Sequence, residues 1–170
     1  GNVKIIAGNV NTLAVRIPFW CKNYEIRLNG GSVSPDIKKG YAYINVNGNA
    51  EIEIDFEIKA QLIEANPNVT ACAGKVAVRK GVLVYCLEAV DNGENLNGLK
   101  IPLSAEFTSE YSDNFKADIL KTTAYKSAYN ADSLYAPAYP DEKTEITLIP
   151  YYAFANRGES EMIVWINKAG

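Results

Sequence analysis

The sequence predicts an all-β protein: an antiparallel β-sandwich, jelly-roll-like, in two packed modules. Three observations carry this. Short runs rich in β-branched and aromatic residues recur at roughly 8–12-residue spacing, with Gly, Asn, Asp or Pro between them. No stretch of the 170 residues sustains a helical period. At the centre, Val76, Val78 and the run Val82 to Leu87 flank Arg79-Lys80-Gly81, where glycine can take φ > 0 and fold the two runs into a hairpin. A lone hairpin is marginal in water, so the other strands must pack against it.

In chain order, Asn2 to Ile6 reads as a first strand, broken by Gly8, Asn9 and Asn11. Leu13 to Ile17 is a second, stopped by Pro18, which has no N–H for the ladder. Phe19-Trp20-Cys21 turns the chain as an aromatic core plug. Tyr24 to Leu28 alternates and ends at the turn Asn29-Gly30-Gly31, followed by a polar link, Ser32 to Lys39. Tyr41 to Val46 is a strand, and Asn47-Gly48-Asn49 reads as a hairpin turn. The next strand puts Ile52, Ile54, Phe56 and Ile58 on one face and Glu51, Glu53, Asp55 and Glu57 on the other. Asn66-Pro67-Asn68 marks the expected boundary, giving modules 1–67 and 68–170. After the central hairpin come a polar loop from Ala89 to Gly98, strands at Glu106 to Tyr111 and Lys116 to Tyr125, and a long loop from Ala128 to Asp141. A helix at Phe115 to Leu120 is the alternative there, opposed by Thr122 and Thr123. Glu145 to Ile149, ended by Pro150, and Glu161 to Asn167 complete the strands; Tyr151 to Ala155 is a strand or a turn.

Composition excludes several functions. The net charge of −3 argues against a nucleic-acid binder, which needs a basic face. No run is apolar and long enough to span a bilayer. Gly1 ahead of strand-like sequence reads as a remnant of expression, so the natural chain is expected to continue upstream. The compartment stays open. With no histidine, Ser-His-Asp and Cys-His catalysis fall away, along with the commonest metal ligand. Cys21, Cys72 and Cys86 are odd in number and widely spaced, so they read as buried reduced thiols, with a Cys72–Cys86 bridge as the alternative.

Two features invite a functional reading. The acidic row Glu51, Glu53, Asp55, Glu57 resembles a cation or catalytic-carboxylate site, but neighbours on one strand face lie about 6.5–7 Å apart and converge on no point. A solvated face that discourages edge pairing is the plainer expectation. The 11 Tyr and 2 Trp allow a sugar-stacking platform. Trp20, Tyr85 and Trp165 are expected in the core, which leaves the loop Tyr129 to Tyr139 for binding. The sequon Asn68-Val69-Thr70 is too short a match to carry weight.

Three segments then point to a family. Leu13 to Cys21, Gly74 to Glu88 followed by Asp91-Asn92, and Ile149 to Gly158 followed by Met162 to Ile166 resemble, in that order, segments that follow the catalytic domain in glycoside hydrolase family 127, the bacterial β-L-arabinofuranosidases and their relatives. The resemblance covers nearly the whole chain; Val82 departs from it, standing where the family often has proline. It implies that this chain is the family's pair of β-domains, the first lacking its opening strands. The family's chemistry sits upstream in an (α/α) barrel, where a zinc-bound cysteine nucleophile works with glutamates. Neither Cys21 nor Cys86 matches the nucleophile's motif.

The expectation is therefore a non-catalytic accessory region. It has no catalytic, cofactor or metal residues of its own, and zinc belongs to the missing barrel. Its partners are the barrel of the same polypeptide and further copies of itself, with at most a weak carbohydrate contact and neither nucleic acid nor membrane. A carbohydrate-binding module is the alternative. An independent enzyme would need two carboxyls roughly 5–5.5 Å apart in a cleft.

Overall fold

The computed structural model describes residues 1–128 and 133–170, which form an all-β chain in two compact units, Gly1–Lys59 and Ala60–Gly170. The expected boundary at Pro67 falls inside the second unit. The segment Ala60–Glu64 pairs antiparallel with Lys75–Lys80, and so belongs with the central hairpin rather than with the strand before it.

The first unit is one antiparallel sheet of β1 (Asn2–Arg16), β2 (Tyr24–Leu28), β3 (Gly31–Val33), β4 (Asp36–Lys38) and β5 (Tyr41–Phe56), in the order β1-β5-β2-β3 with β4 also on β5. Two long strands replace the four short ones expected. Asn9, at φ 54°, and Gly48, at φ 90°, lie where the β1–β5 register slips, with Val10 opposite Gly48. The positive φ that a tight turn demands is also what a bulge demands, so Asn47-Gly48-Asn49 bends a continuous strand instead of reversing it. Asn29-Gly30 does make its turn: both residues have φ > 0 between the partners Leu28 and Gly31. Lys39-Gly40 does the same between Lys38 and Tyr41, so the polar link expected from Ser32 to Lys39 holds two short strands. Ala42, Ile44, Val46, Ala50, Ile52 and Ile54 of β5 pack with Ala7 and Ile26 as the core.

The second unit contains β6 (Ala60–Glu64), β7 (Lys75–Lys80), β8 (Leu83–Glu88), helix α1 (Ala89–Asn92), β9 (Leu99–Ile101), β10 (Thr108–Ser112), β11 (Ala117–Ser127), β12 (Asp141–Pro150), β13 (Met162–Ile163) and β14 (Ile166–Lys168). The central hairpin is as the sequence reads it: Gly81, at φ 60°, opens a two-residue turn between Lys80 and Leu83. Val76 bridges Glu64 on one flank and Ile166 on the other, whereas Val78 bridges Leu62 and Tyr85. β14 and β8 thus share one flank of β7. From there the pairing runs β8–β12–β11–β9–β14 and returns to β7, so six strands enclose one core that includes Val78, Tyr85, Leu120 and Leu148. Among the described residues only the β9–β14 pair is parallel. The segment that admitted a helix, 115–120, is instead a turn leading into β11.

From Tyr85 to Glu88, β8 is buried on both faces. Tyr85 and Leu87 point into the main core, while Cys86 faces a smaller one with Ile149 and Ala153. The strand expected at Glu161 to Asn167 is broken into β13 and β14, and Trp165 in the break is only half-buried. Trp20 is also half-buried, edge-on to Phe56 with ring centroids 6.4 Å apart. Of the three aromatics expected in the core, Tyr85 alone is buried, its hydroxyl donating to the Asp118 carbonyl at 3.0 Å.

Candidate functional site

A dense polar cluster is built where β8 ends. Glu88 is 1% exposed. Its Oε1 accepts the Ala155 N–H at 2.9 Å and its Oε2 accepts Arg157 Nη2 at 2.6 Å. Arg157 also grips Asp91, on α1, with Nη1 to Oδ1 at 2.7 Å and Nη2 to Oδ2 at 2.5 Å. The guanidinium carbon sits 5.1 Å from the centre of the Phe115 ring. The hydrogen bond to Asp91, and then that to Glu88, raises the Arg157 pKa despite its partial burial.

Beside this cluster the Asn92 side chain behaves as a piece of backbone. Its Nδ2 donates to the Glu88 and Thr147 carbonyls, both at 2.9 Å, and its Oδ1 accepts the Thr147 N–H at 2.8 Å. The Glu161 carboxylate accepts the Leu96 N–H at 3.1 and 3.2 Å, while its carbonyl accepts the Ala89 N–H at 2.9 Å. These bonds tie the segment after Pro150 onto the hairpin. Two of the segments singled out in the sequence, Gly74 to Asn92 and Ile149 to Gly158, therefore meet through Glu88, Asp91 and Arg157. Sequence reasoning quoted these residues without joining them; opposite charges 66 and 69 positions apart carry no local periodicity that could have paired them.

Chemically the cluster is a clasp. Both oxygens of each carboxylate accept hydrogen bonds, and a permanently charged arginine lies between the two acids. Cys86, next to Glu88, has its thiol pushed up to about 12, first by burial and then by the Glu88 charge, so it is held protonated, not as a nucleophilic thiolate.

The acidic row Glu51 to Glu57 is met by three cations, Lys4, Arg27 and Lys59, which leave it net negative. Glu51 pairs with Lys4 at 2.7 Å, and Arg27 reaches Glu53 at 3.6 Å and Asp55 at 3.1 Å. Glu57 pairs with Lys59 and accepts Asn23 Nδ2 at 2.7 Å. Among the described residues no group of three or more His, Cys, Asp and Glu is placed to hold a metal ion. All three cysteines are free; Cys21 and Cys86 are buried and Cys72 is half-buried. In the loop singled out for sugar stacking, Tyr135 is 91% exposed and Tyr139 is exposed; Tyr129 lies outside the described residues. An open groove between the β3–β4 link and β5, bordered by Asp36, Tyr43 and Asn45, has no counterpart in the sequence reading. The signal that could have found it is the outward-facing set Tyr41, Tyr43 and Asn45 on β5.

Comparison with known proteins covers both units. Residues 3–60 match the β-L-arabinofuranosidase GH127 middle domain, and residues 60–167 match the glycoside hydrolase family 127 C-terminal domain. The chain is 32% identical over 165 residues to a non-reducing end β-L-arabinofuranosidase of Bifidobacterium longum, covering 89% of this chain and 25% of that protein. The crystal structure of a GH127 β-L-arabinofuranosidase from Geobacillus stearothermophilus superposes with a TM-score of 0.92 at 38% identity, covering 99% of this chain and 29% of that one. A second solved structure, of a GH127 β-arabinofuranosidase, superposes at 0.81 with 28% identity over 99% of this chain and 28% of that one. The chain thus spans under a third of the length of these relatives. With both domain matches adjoining at residue 60, where the two compact units also divide, the chain belongs to glycoside hydrolase family 127 and carries its middle and C-terminal domains.

Proposed function

We propose that this chain is the non-catalytic accessory region of a β-L-arabinofuranosidase-like glycoside hydrolase. In this reading it supports an (α/α) catalytic barrel supplied by the same polypeptide and helps copies of the enzyme associate. The observation that carries the reading is the condition of its carboxylates. Retaining hydrolysis needs one acid free to give its proton and a second free to attack, about 5–5.5 Å apart. Glu88 and Asp91 are both committed to Arg157, and Glu51, Glu53, Asp55 and Glu57 are each paired with a cation on a sheet face. The adjoining middle and C-terminal domain matches, and relatives more than three times as long, support the accessory role. No cofactor is assigned to this chain; zinc goes with the barrel.

The test compares the purified chain with the full-length protein on a chromogenic β-L-arabinofuranoside. Turnover is expected from the full-length protein only. Separately expressed barrel should co-purify with this chain and become more heat-resistant. Hydrolysis that tracks the purified chain through successive columns would overturn the accessory reading, and a barrel that ignores the chain would overturn the supporting role.

A further inference from the structure

The first unit carries a groove that its fold does not need. β3 pairs with β2 while β4 pairs with β5, so the link Ser34-Pro35 crosses from one strand pair to the other. Beside it lies an open depression of about 730 Å³ whose apolar floor includes Leu28 and Val33, and whose rim carries Asp36, Lys38, Tyr43 and Asn45. A smaller hollow of about 290 Å³ continues on the far side of Pro35.

The lining has the character of a sugar. A saccharide ring offers an apolar C–H face and a rim of hydroxyls that both donate and accept. Tyr43, 40% exposed, presents a ring to the first, and Tyr41 lies two residues along on the same outward face, about 6.5–7 Å away. For the hydroxyls there are a carboxylate, an ammonium and an amide. Asp36 and Lys38 form an ion pair at 3.1 Å, yet both side chains are largely exposed, so acceptor and donor capacity still faces the groove. The Asn45 amide, also exposed, adds both. The volume falls within the usual range for small-ligand sites, about 300–1,000 Å³.

We propose that this groove is a saccharide-binding site. It takes a short arabinose-containing oligosaccharide, one ring stacked on Tyr43 and its hydroxyls bound by Asp36, Lys38 and Asn45. It would tether a glycan to the accessory region, at a place other than the Tyr135 loop. The choice of arabinose rests on the family reading of the whole enzyme; the chemistry of the lining does not.

The test is a titration of the isotope-labelled chain with L-arabinose disaccharide, followed residue by residue by NMR, with free arabinose assayed in the same tubes. Saturable shifts confined to residues 33–45, with an affinity of about millimolar, are expected. Tyr43→Ala should weaken binding by about tenfold, as loss of one aromatic contact does. Asn45→Ala should weaken it less, and both variants should keep the parent's melting temperature, because the side chains lie outside the core. No shifts up to about 50 mM sugar, shifts centred on Tyr135 instead, or a Tyr43→Ala variant that binds as well as the parent would each overturn the site. Release of free arabinose would count against the accessory reading alone, since the map of the shifts is independent of it.

Discussion

Arg157 Nη2 lies 2.6 Å from Glu88 Oε2, an ion pair joining residues 69 positions apart, with the glutamate 1% exposed and the arginine 31% exposed. A pair of this kind contributes less by its attraction than its loss would cost, because removing one partner strands a buried charge. Arg157→Met should therefore destabilise the second unit by about 2–3 kcal/mol, a little less than for fully buried pairs, since water reaches one side of the guanidinium. Replacing Glu88 with Gln in the same variant should recover much of the loss. Urea denaturation of the two single variants and the double variant gives the coupling directly, provided the slopes agree. A coupling near zero would mean that the clasp holds nothing.

How much of this could be read from the sequence depends on the range over which each signal acts. Gly81 and Asn29-Gly30 sit between residues that pair across two-residue turns, and their chemistry acts over four positions, so those hairpins were legible. Gly48 carries the same local signal, but whether it turns or bends the strand depends on Val10, 38 positions away. Alternation along Glu51 to Phe56 disclosed the core face of β5, because one face is wet and the other dry; Ile58, past the end of the strand, is exposed. It could not disclose that Tyr85 to Glu88 of β8 are dry on both, which depends on the segment after Pro150 folding back over Cys86. Trp20 and Trp165 were misplaced for a related reason: size argues for burial, but a large ring in a turn or a strand break is covered on one side only.

Gly48 provides a test of the bulge. Its φ of 90° lies where side-chain-bearing residues are strained, and nothing stands within 4 Å of where a Cβ would be, so a substitution there meets strain without a clash. Gly48→Ala should cost about 1–2 kcal/mol and Gly48→Asn less, because asparagine tolerates positive φ better. If the two variants unfold at the same urea concentration as the parent, the β1–β5 register does not require the left-handed residue.

The buried thiol and phenol of β8 make stability fall in alkali. Cys86 is shifted from 9.0 to about 12 and Tyr85 from 10.0 to about 12, in both cases chiefly by burial. An acid whose pKa is raised by folding stays protonated in the folded chain while the unfolded chain has already lost its proton. The unfolded state then binds fewer protons, and stability declines as pH rises from about 9 towards 12. Well below pH 9 both groups are neutral in either state, and they add no pH dependence. Cys86→Ala should move the onset of the decline up towards pH 10, where Tyr85 alone acts, as followed by melting temperature in steps of pH. Thiol labelling at pH 8 should mark Cys72 first and Cys86 last, since only the former is partly open to water. An unchanged onset in Cys86→Ala would show that some other group governs the alkaline limb.

The edge of the first unit is where self-association should begin. Among the described residues β1 pairs only with β5, and its outer flank leaves backbone N–H and C=O groups of a 15-residue strand without a strand partner. Natural edges are protected by proline, by inward-pointing charge or by short length. β1 contains no proline, Ile6 is 72% exposed and Val3 is 41% exposed, and the nearby Lys4 is engaged by Glu51. A second copy offers the same strand, and two antiparallel β1 edges would satisfy each other about a twofold axis. The acidic row Glu51 to Glu57 resists stacking of that face on a copy of itself, so association through the edge is favoured over association through the face. We expect sedimentation velocity to show a dimer that grows with concentration up to the hundred-micromolar range. Ile6→Lys should shift it towards monomer by placing a charge beside its own symmetry mate, and Glu53→Gln should leave it unchanged. A chain that stays monomeric throughout, or an Ile6→Lys variant that dimerises like the parent, would remove the β1 edge as the contact.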